Sequence, residues 1–224
     1  MKHYYITTMY TQSTQVAIQQ DHACKEMFKE VLNNIESDES KLFIEYINKH
    51  KTTISLGVGH YDELLRIYSY IFKHKNTLKI PFGIFQEASL NMTPTCLTFV
   101  VPEKYCVNIR SAIESLMKEF FVSNISELAP RLSVDEVYNK LGIKVKIIED
   151  ESNNYKFRIK SKVYIPPSEY NNDLINGDLN NSSFMDKVFE KYNENSESNF
   201  KYVEYDYTLE ELNFYTMINS LRLK

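Results

Sequence analysis

The sequence predicts an α/β fold: a three-layer α/β/α domain on a small mixed sheet, followed by a smaller α+β C-terminal extension. Segments with the two-residue period of strands alternate with segments of helical period through the first half of the chain. A length of 224 residues exceeds one small domain, and 43% apolar with 13% aromatic residues is enough for a core. Past Val122 the composition changes, with 14 of the 20 asparagines falling there, as in a loop-rich extension. The expected division is therefore residues 1–122 and 123–224.

The elements follow in order. His3 to Tyr10 is rich in Tyr, Ile and Thr and reads as a strand. Ser13 or Thr14 can cap the helix after it, whose core stripe is Val16, Gln20, Cys24, Met27, Val31 and Ile35. A second helix, Asp38 to His50, gathers Leu42, Phe43, Tyr46 and Ile47 on one side. Thr52 to Val58 alternates as a strand, and Tyr61 to His74 returns to helical spacing through Leu64, Tyr68, Ile71 and Phe72. Pro81 to Gln86 and Thr95 to Val101 are apolar runs of strand length, and Val107 to Phe121 is helical again. In the extension, Val134 to Leu141 reads as a helix, Ile143 to Ile165 as a hairpin, Asn171 to Ser183 as a long loop and Thr208 to Leu223 as a closing helix.

Several classes are excluded. No stretch approaches the roughly 20 apolar residues of a membrane helix, and Met1 to Tyr10 lacks the pattern of a signal peptide. A cytoplasmic protein with no membrane partner is expected. Cys24, Cys96 and Cys106 form no CxxC and no metal-ligand spacing, so they read as reduced packing residues, with no metal site. The net charge of −4 neither demands nor forbids a nucleic-acid partner. The bias to Tyr, Asn, Lys and Ile is that of an AT-rich genome and is compatible with a viral source.

Three segments carry a resemblance. Thr14-Gln15-Val16-Ala17-Ile18-Gln19-Gln20-Asp21-His22-Ala23 is similar to the G-K-x-A-A-Q-x-A-H-A signature of the type II peptidyl-tRNA hydrolases, archaeal and eukaryotic, matching at Ala17, Gln19, His22 and Ala23. Thr52 to Val58 followed by Asp62-Glu63-Leu64-Leu65 resembles that family's second strand and its E-E-L-L helix start. Glu87-Ala88-Ser89-Leu90, then Thr93-Pro94-Thr95-Cys96-Leu97, resembles its D-A-G-x-T loop and its closing strand T-x-T-x-L. The resemblance implies that residues 1–122 hydrolyse the ester joining a peptide to the 3′ ribose of tRNA, in translation, with no cofactor and often as a homodimer. It assigns Gln15, Gln19, His22, Glu87, Thr93 and Thr95 to the catalytic site.

Two departures bear on chemistry. The family's Lys is Gln15 here, and its Asp is Glu87. Losing a charged donor to an oxyanion costs about 2.7 to 4 kcal/mol, so ester hydrolysis is expected to be weak or absent. The alternative is a non-catalytic binding protein on the same fold, acting on the translation machinery or another protein through residues 123–224. Gln15, Gln19, His22 and Glu26 recur at steps of four, three and four, which aligns them on one helix face. Taken alone, that stripe is equally the solvated side of an amphipathic helix.

A second pattern stands outside the resemblance. Lys156, Arg158, Lys160 and Lys162 alternate with Phe157, Ile159, Ser161 and Val163, and the preceding strand adds Lys144 and Lys146. Paired as a hairpin, these six cations share one face, which suits an RNA backbone and equally suits a solvated sheet edge.

Overall fold

The structure, a computed structural model, describes residues 1–9, 11, 13–119, 123–128, 136–138, 144–149, 155–164 and 200–223. Five strands form the first sheet in the order β3-β4-β1-β2-β9. β1 (Lys2–Thr8) lies parallel to β2 (Thr53–Val58) and antiparallel to β4 (Thr93–Val101). β3 (Phe82–Glu87) is antiparallel to β4, and β9 (Arg222–Leu223) is antiparallel to β2. The sheet is therefore mixed, with helices on both faces.

On one face α1 (Ser13–Asn33) and α2 (Asp38–Lys49) bury Met27, Val31, Phe43 and Tyr46 against Val100. On the other, Tyr4, Ile6, Leu56, Val58, Leu97 and Phe99 meet α3 (Tyr61–Lys73), the short α4 (Lys75–Leu78), α5 (Arg110–Glu119) and a C-terminal helix. β4 is covered on both sides, which explains its near-continuous apolar run. Gly83 lets α1 lie directly on β3, because a Cβ there would come within 2.4 Å of the Met27 nitrogen and 2.7 Å of the Ala23 oxygen. His3, buried under the same helices, donates from Nε2 to Thr98 Oγ1 at 2.6 Å while Thr98 donates to the Tyr4 carbonyl at 3.0 Å. That chain fixes a proton on Nε2, and burial favours the neutral imidazole by pushing its pKa down to about 4.

After α5 come a one-turn helix α6 (Ile125–Leu128) and a second, antiparallel sheet in the order β5-β6-β7-β8. Its strands are β5 (Glu136–Tyr138), β6 (Lys144–Glu149), β7 (Tyr155–Tyr164) and β8 (Phe200–Thr208). β6 and β7 form the expected hairpin, whereas the helix expected over Val134 to Leu141 is replaced at Glu136–Tyr138 by strand pairing with β6. Val137 and Tyr138 are residues that a pleated, half-buried surface favours. β8 was not foreseen, although Val203, Tyr205 and Tyr207 alternate as a strand should. The loop expected from Asn171 to Ser183 lies outside the described residues.

The chain then returns to the first sheet. α7 (Leu209–Asn219) packs Leu212, Phe214, Tyr215 and Ile218 into the first sheet's core, joined there by Phe157, Ile159 and Tyr207 of the second sheet. Thr208 and Glu211 cap α7 reciprocally, through Thr208 N to Glu211 Oε2 at 3.0 Å and Glu211 N to Thr208 Oγ1 at 3.3 Å. Glu211, buried, also pairs with Lys104, whose ammonium sits 5.3 and 5.8 Å from the Tyr105 and Tyr207 ring centres. Tyr207 donates to the Lys104 carbonyl at 2.6 Å, and the Ile109 amide donates to Tyr215 Oη at 3.0 Å. Both halves of the sequence thus share one core.

Smaller differences concern faces. Ile35 lies beyond the end of α1, and Ile47 and Phe72 point to solvent, while Ser40 and Ile67 take core positions in their helices. The helix foreseen from Val107 begins at Arg110: Val107 is extended after the 3-10 turn Glu103–Cys106, and Asn108 Oδ1 accepts from the Arg110 amide at 3.2 Å.

Candidate functional site

The site forms where α1 crosses the end of β3. The ladder between β3 and β4 slips between Phe85 and Gln86, so that Phe85 faces Cys96 and Gln86 faces Pro94, leaving Thr95 as the extra residue of a bulge. Strict alternation would send Thr95 to the face opposite Cys96. The bulge re-aims it instead toward α1, where its hydroxyl donates to Gln19 Oε1. Pro94, lacking an N–H, suits a position where the ladder is already broken.

Gln19 then passes the interaction on. Its Nε2 donates to Glu87 Oε2 at 3.1 Å, so one amide, buried against the sheet, joins Thr95 to the carboxylate. The other carboxylate oxygen, Oε1, accepts from Ser89 Oγ at 3.1 Å and from the Ser89 amide at 3.4 Å, an N-cap for the 3-10 turn Ala88–Leu90. The hydrogen bond from Gln19 does most to hold the Glu87 carboxyl below its ordinary range, followed by the two from Ser89, with the nearby His22 adding a smaller pull.

The loop after this turn is closed tightly. Asn91 and Met92 both adopt left-handed backbone, at φ 53° and 60°, and Met92 N donates to the Glu87 carbonyl at 3.0 Å. Thr93 donates its hydroxyl to the Leu90 carbonyl at 2.5 Å, which braces the loop and leaves the carboxylate to Gln19 and Ser89. His22 lies one turn after Gln19, its ring 4.5 Å from that of Phe85, with a buried Nδ1 that has no hydrogen-bond partner among the described residues. Gln15 is exposed one turn before Gln19, and none of the described hydrogen bonds ties it to Glu87.

The structure therefore gathers Gln19, Thr95 and Glu87 directly, sets His22 beside them, and leaves Gln15 and Thr93 at the margin. Ser89 was missed by sequence reasoning. The signal was present, since a Ser two residues after an acidic residue at a strand end is a common local cap.

The basic stripe is less cationic than its sequence suggests. Lys144 and Lys146 stand opposite Lys160 and Arg158, so the six positions do share a register face. The neighbouring strands place Glu136 opposite Lys146, Glu204 opposite Lys160 and Asp206 opposite Arg158. Arg158 is held by Asp206 in a fork, Nε to Oδ1 at 2.7 Å and Nη2 to Oδ2 at 2.9 Å, with Glu204 3.4 Å away. That hydrogen bonding keeps the Asp206 carboxyl below its usual range. β8, the unforeseen strand, supplies two of the three acids.

Among the described residues, no group of three His, Cys, Asp or Glu side chains converges as a metal site, and no helix is long and apolar enough to cross a membrane. No protein-family model matches the chain, and no curated protein matches it.

Proposed function

We propose that the protein is peptidyl-tRNA hydrolase-like: it recognises tRNA or a related RNA end at the α1–β3 junction, with weak or absent ester hydrolysis. What supports this reading is that Gln19, from the first segment of the motif resemblance, bridges Glu87 and Thr95, from the third, in one hydrogen-bonded cluster. Ester hydrolysis needs an oriented water, a base to take its proton and a donor for the oxyanion. Glu87 is the carboxylate at hand, and exposed Gln15 is the nearest counterpart to a cationic donor.

The weakness follows from the same geometry. A general base is most effective with a pKa near the working pH, and Glu87 is moved the other way by donors on both of its oxygens. This observation favours a second reading, a non-catalytic binding protein in which Glu87 is a fixed acceptor. Cleavage of peptidyl-tRNA, measured beside binding of uncharged tRNA, separates the two. Cleavage supports the enzyme, binding alone supports the non-catalytic protein, and the absence of both overturns RNA as the ligand and favours a protein partner. If the enzyme reading holds, Gln15→Lys raises cleavage by roughly a hundredfold, the worth of one restored oxyanion donor, and adding Glu87→Gln removes the gain.

A further inference from the structure

The free edge of the first sheet offers a second binding surface, independent of the Glu87 site. β3 ends the strand order, and no described strand pairs with its outer side. Val100 N donates to the Pro81 carbonyl at 3.2 Å, and the register carries that alternation to Gly83·Thr98 and Phe85·Cys96 as the hydrogen-bonded pairs. The N–H and C=O groups of Phe82 and Ile84 consequently point away from β4. Proteins usually blunt such an edge with charged side chains, yet β3 carries none from Phe82 to Gln86.

A groove of about 540 Å³ runs along this edge, with α1 on one side and α3 on the other. The α1 wall is acidic through Glu26 and Glu30, and the α3 wall is aromatic through Tyr68 and Phe72, whose rings lie 6.0 Å apart. Lys75, 5.3 Å from the Phe72 ring centre, keeps positive charge on the α3 side. Glu26 pairs with Lys29 at 2.7 Å, an exposed helical pair that a ligand cation can displace at little cost.

We infer that the groove takes an extended peptide segment of a partner protein, added as a strand to β3. Its Lys or Arg side chains face α1 and its aliphatic side chains face α3. Successive side chains of a strand point to opposite faces of the sheet, so one alternating segment satisfies both walls while its backbone takes up the open groups of Phe82 and Ile84. A second copy of this chain fits less well. Twofold pairing through β3 sets α1 beside its own copy, Glu26 and Glu30 against Glu26 and Glu30, and like charges so juxtaposed repel.

The test uses the full chain and a fluorescein-labelled eight-residue peptide alternating lysine and valine, followed by fluorescence anisotropy at low salt and by amide hydrogen exchange. Binding is expected, with slowed exchange at Phe82 and Ile84. The double variant Glu26→Gln, Glu30→Gln weakens binding about tenfold, as does replacing the peptide's lysines by glutamates. N-methylation of the peptide amides in the phase facing β3 abolishes binding, and methylation in the other phase does not. The inference is overturned by absent binding, by binding that leaves those two amides unprotected, or by equal affinity for the glutamate peptide. It is equally overturned if the amides become protected as protein concentration rises without peptide, since a second copy then covers the edge.

Discussion

Both ends of the Gln19 amide are committed, one to Thr95 and one to Glu87, and that arrangement sets the charge state of the carboxylate. Gln19→Met removes the largest cause of the lowered Glu87 pKa, so the value rises toward that of an ordinary glutamate. An NMR titration of the Glu87 side-chain carbon in both proteins reads this directly. The buried imidazole of His3 makes a separate prediction about pH. Its folded value of about 4 lies below the unfolded 6.5, so the unfolded chain binds the extra proton first. The stabilisation is complete above pH 6.5 and is lost as pH falls toward 4, amounting to about 3 kcal/mol for this fully enclosed ring. Urea unfolding of wild type and His3→Gln across that window should show a steep pH slope in the first and a shallower one in the second. Residue roles were only partly legible in the sequence. Gln19 and Glu87 were visible through their motif positions, but whether Thr95 faces α1 depends on a bulge, and a slip of one residue leaves no periodic trace.

At the scale of elements, segments with a strong period declared themselves. β2 and the four longest helices are where apolar spacing places them. β1 was legible instead from its Tyr, Ile and Thr content, and β4 from a continuous apolar run, because helices cover both faces of the sheet there. The failures have local causes. Glu136–Tyr138 became a strand because β6 offers it a pairing edge, and tertiary pairing overrides a weak helical period in so short a segment. β8 hid behind an Asn-rich stretch, and with it the two acids that offset part of the charge on β7. This partial pairing alters what the stripe is expected to do. If this face tracks phosphates, Glu204→Gln with Asp206→Asn releases Arg158 and steepens the salt dependence of RNA binding by about 0.7 to 0.9 in log–log slope. An unchanged slope means that the face is a solvated, self-paired sheet surface. Glu211 binds elements together in another way, since it caps α7 and pairs with Lys104. Glu211→Gln should cost about 3 kcal/mol, the low end for breaking a buried pair because Lys104 keeps some solvent contact. Denaturant unfolding measures this.

At the scale of the molecule, composition suggests two parts and the core shows one. Leu212, Phe214, Tyr215 and Ile218 arrive from the far end of the sequence to complete the layer over β1, β2 and β4. At roughly 1.5 to 3 kcal/mol per buried side chain, their loss is comparable with the whole stability of a typical domain. A fragment ending at residue 122 is therefore expected to lack a cooperative thermal transition, and circular dichroism melting of that fragment checks it. The same closure has a consequence in time. A ribosome adding roughly 5 to 20 residues per second finishes β4 many seconds before it reaches α7 (Leu209–Asn219). Throughout that interval the apolar face under α3 and α4 is only partly covered. Chains stalled before residue 200 should accordingly be cut readily by protease and captured by holdase chaperones, and both susceptibilities should vanish together once α7 has emerged.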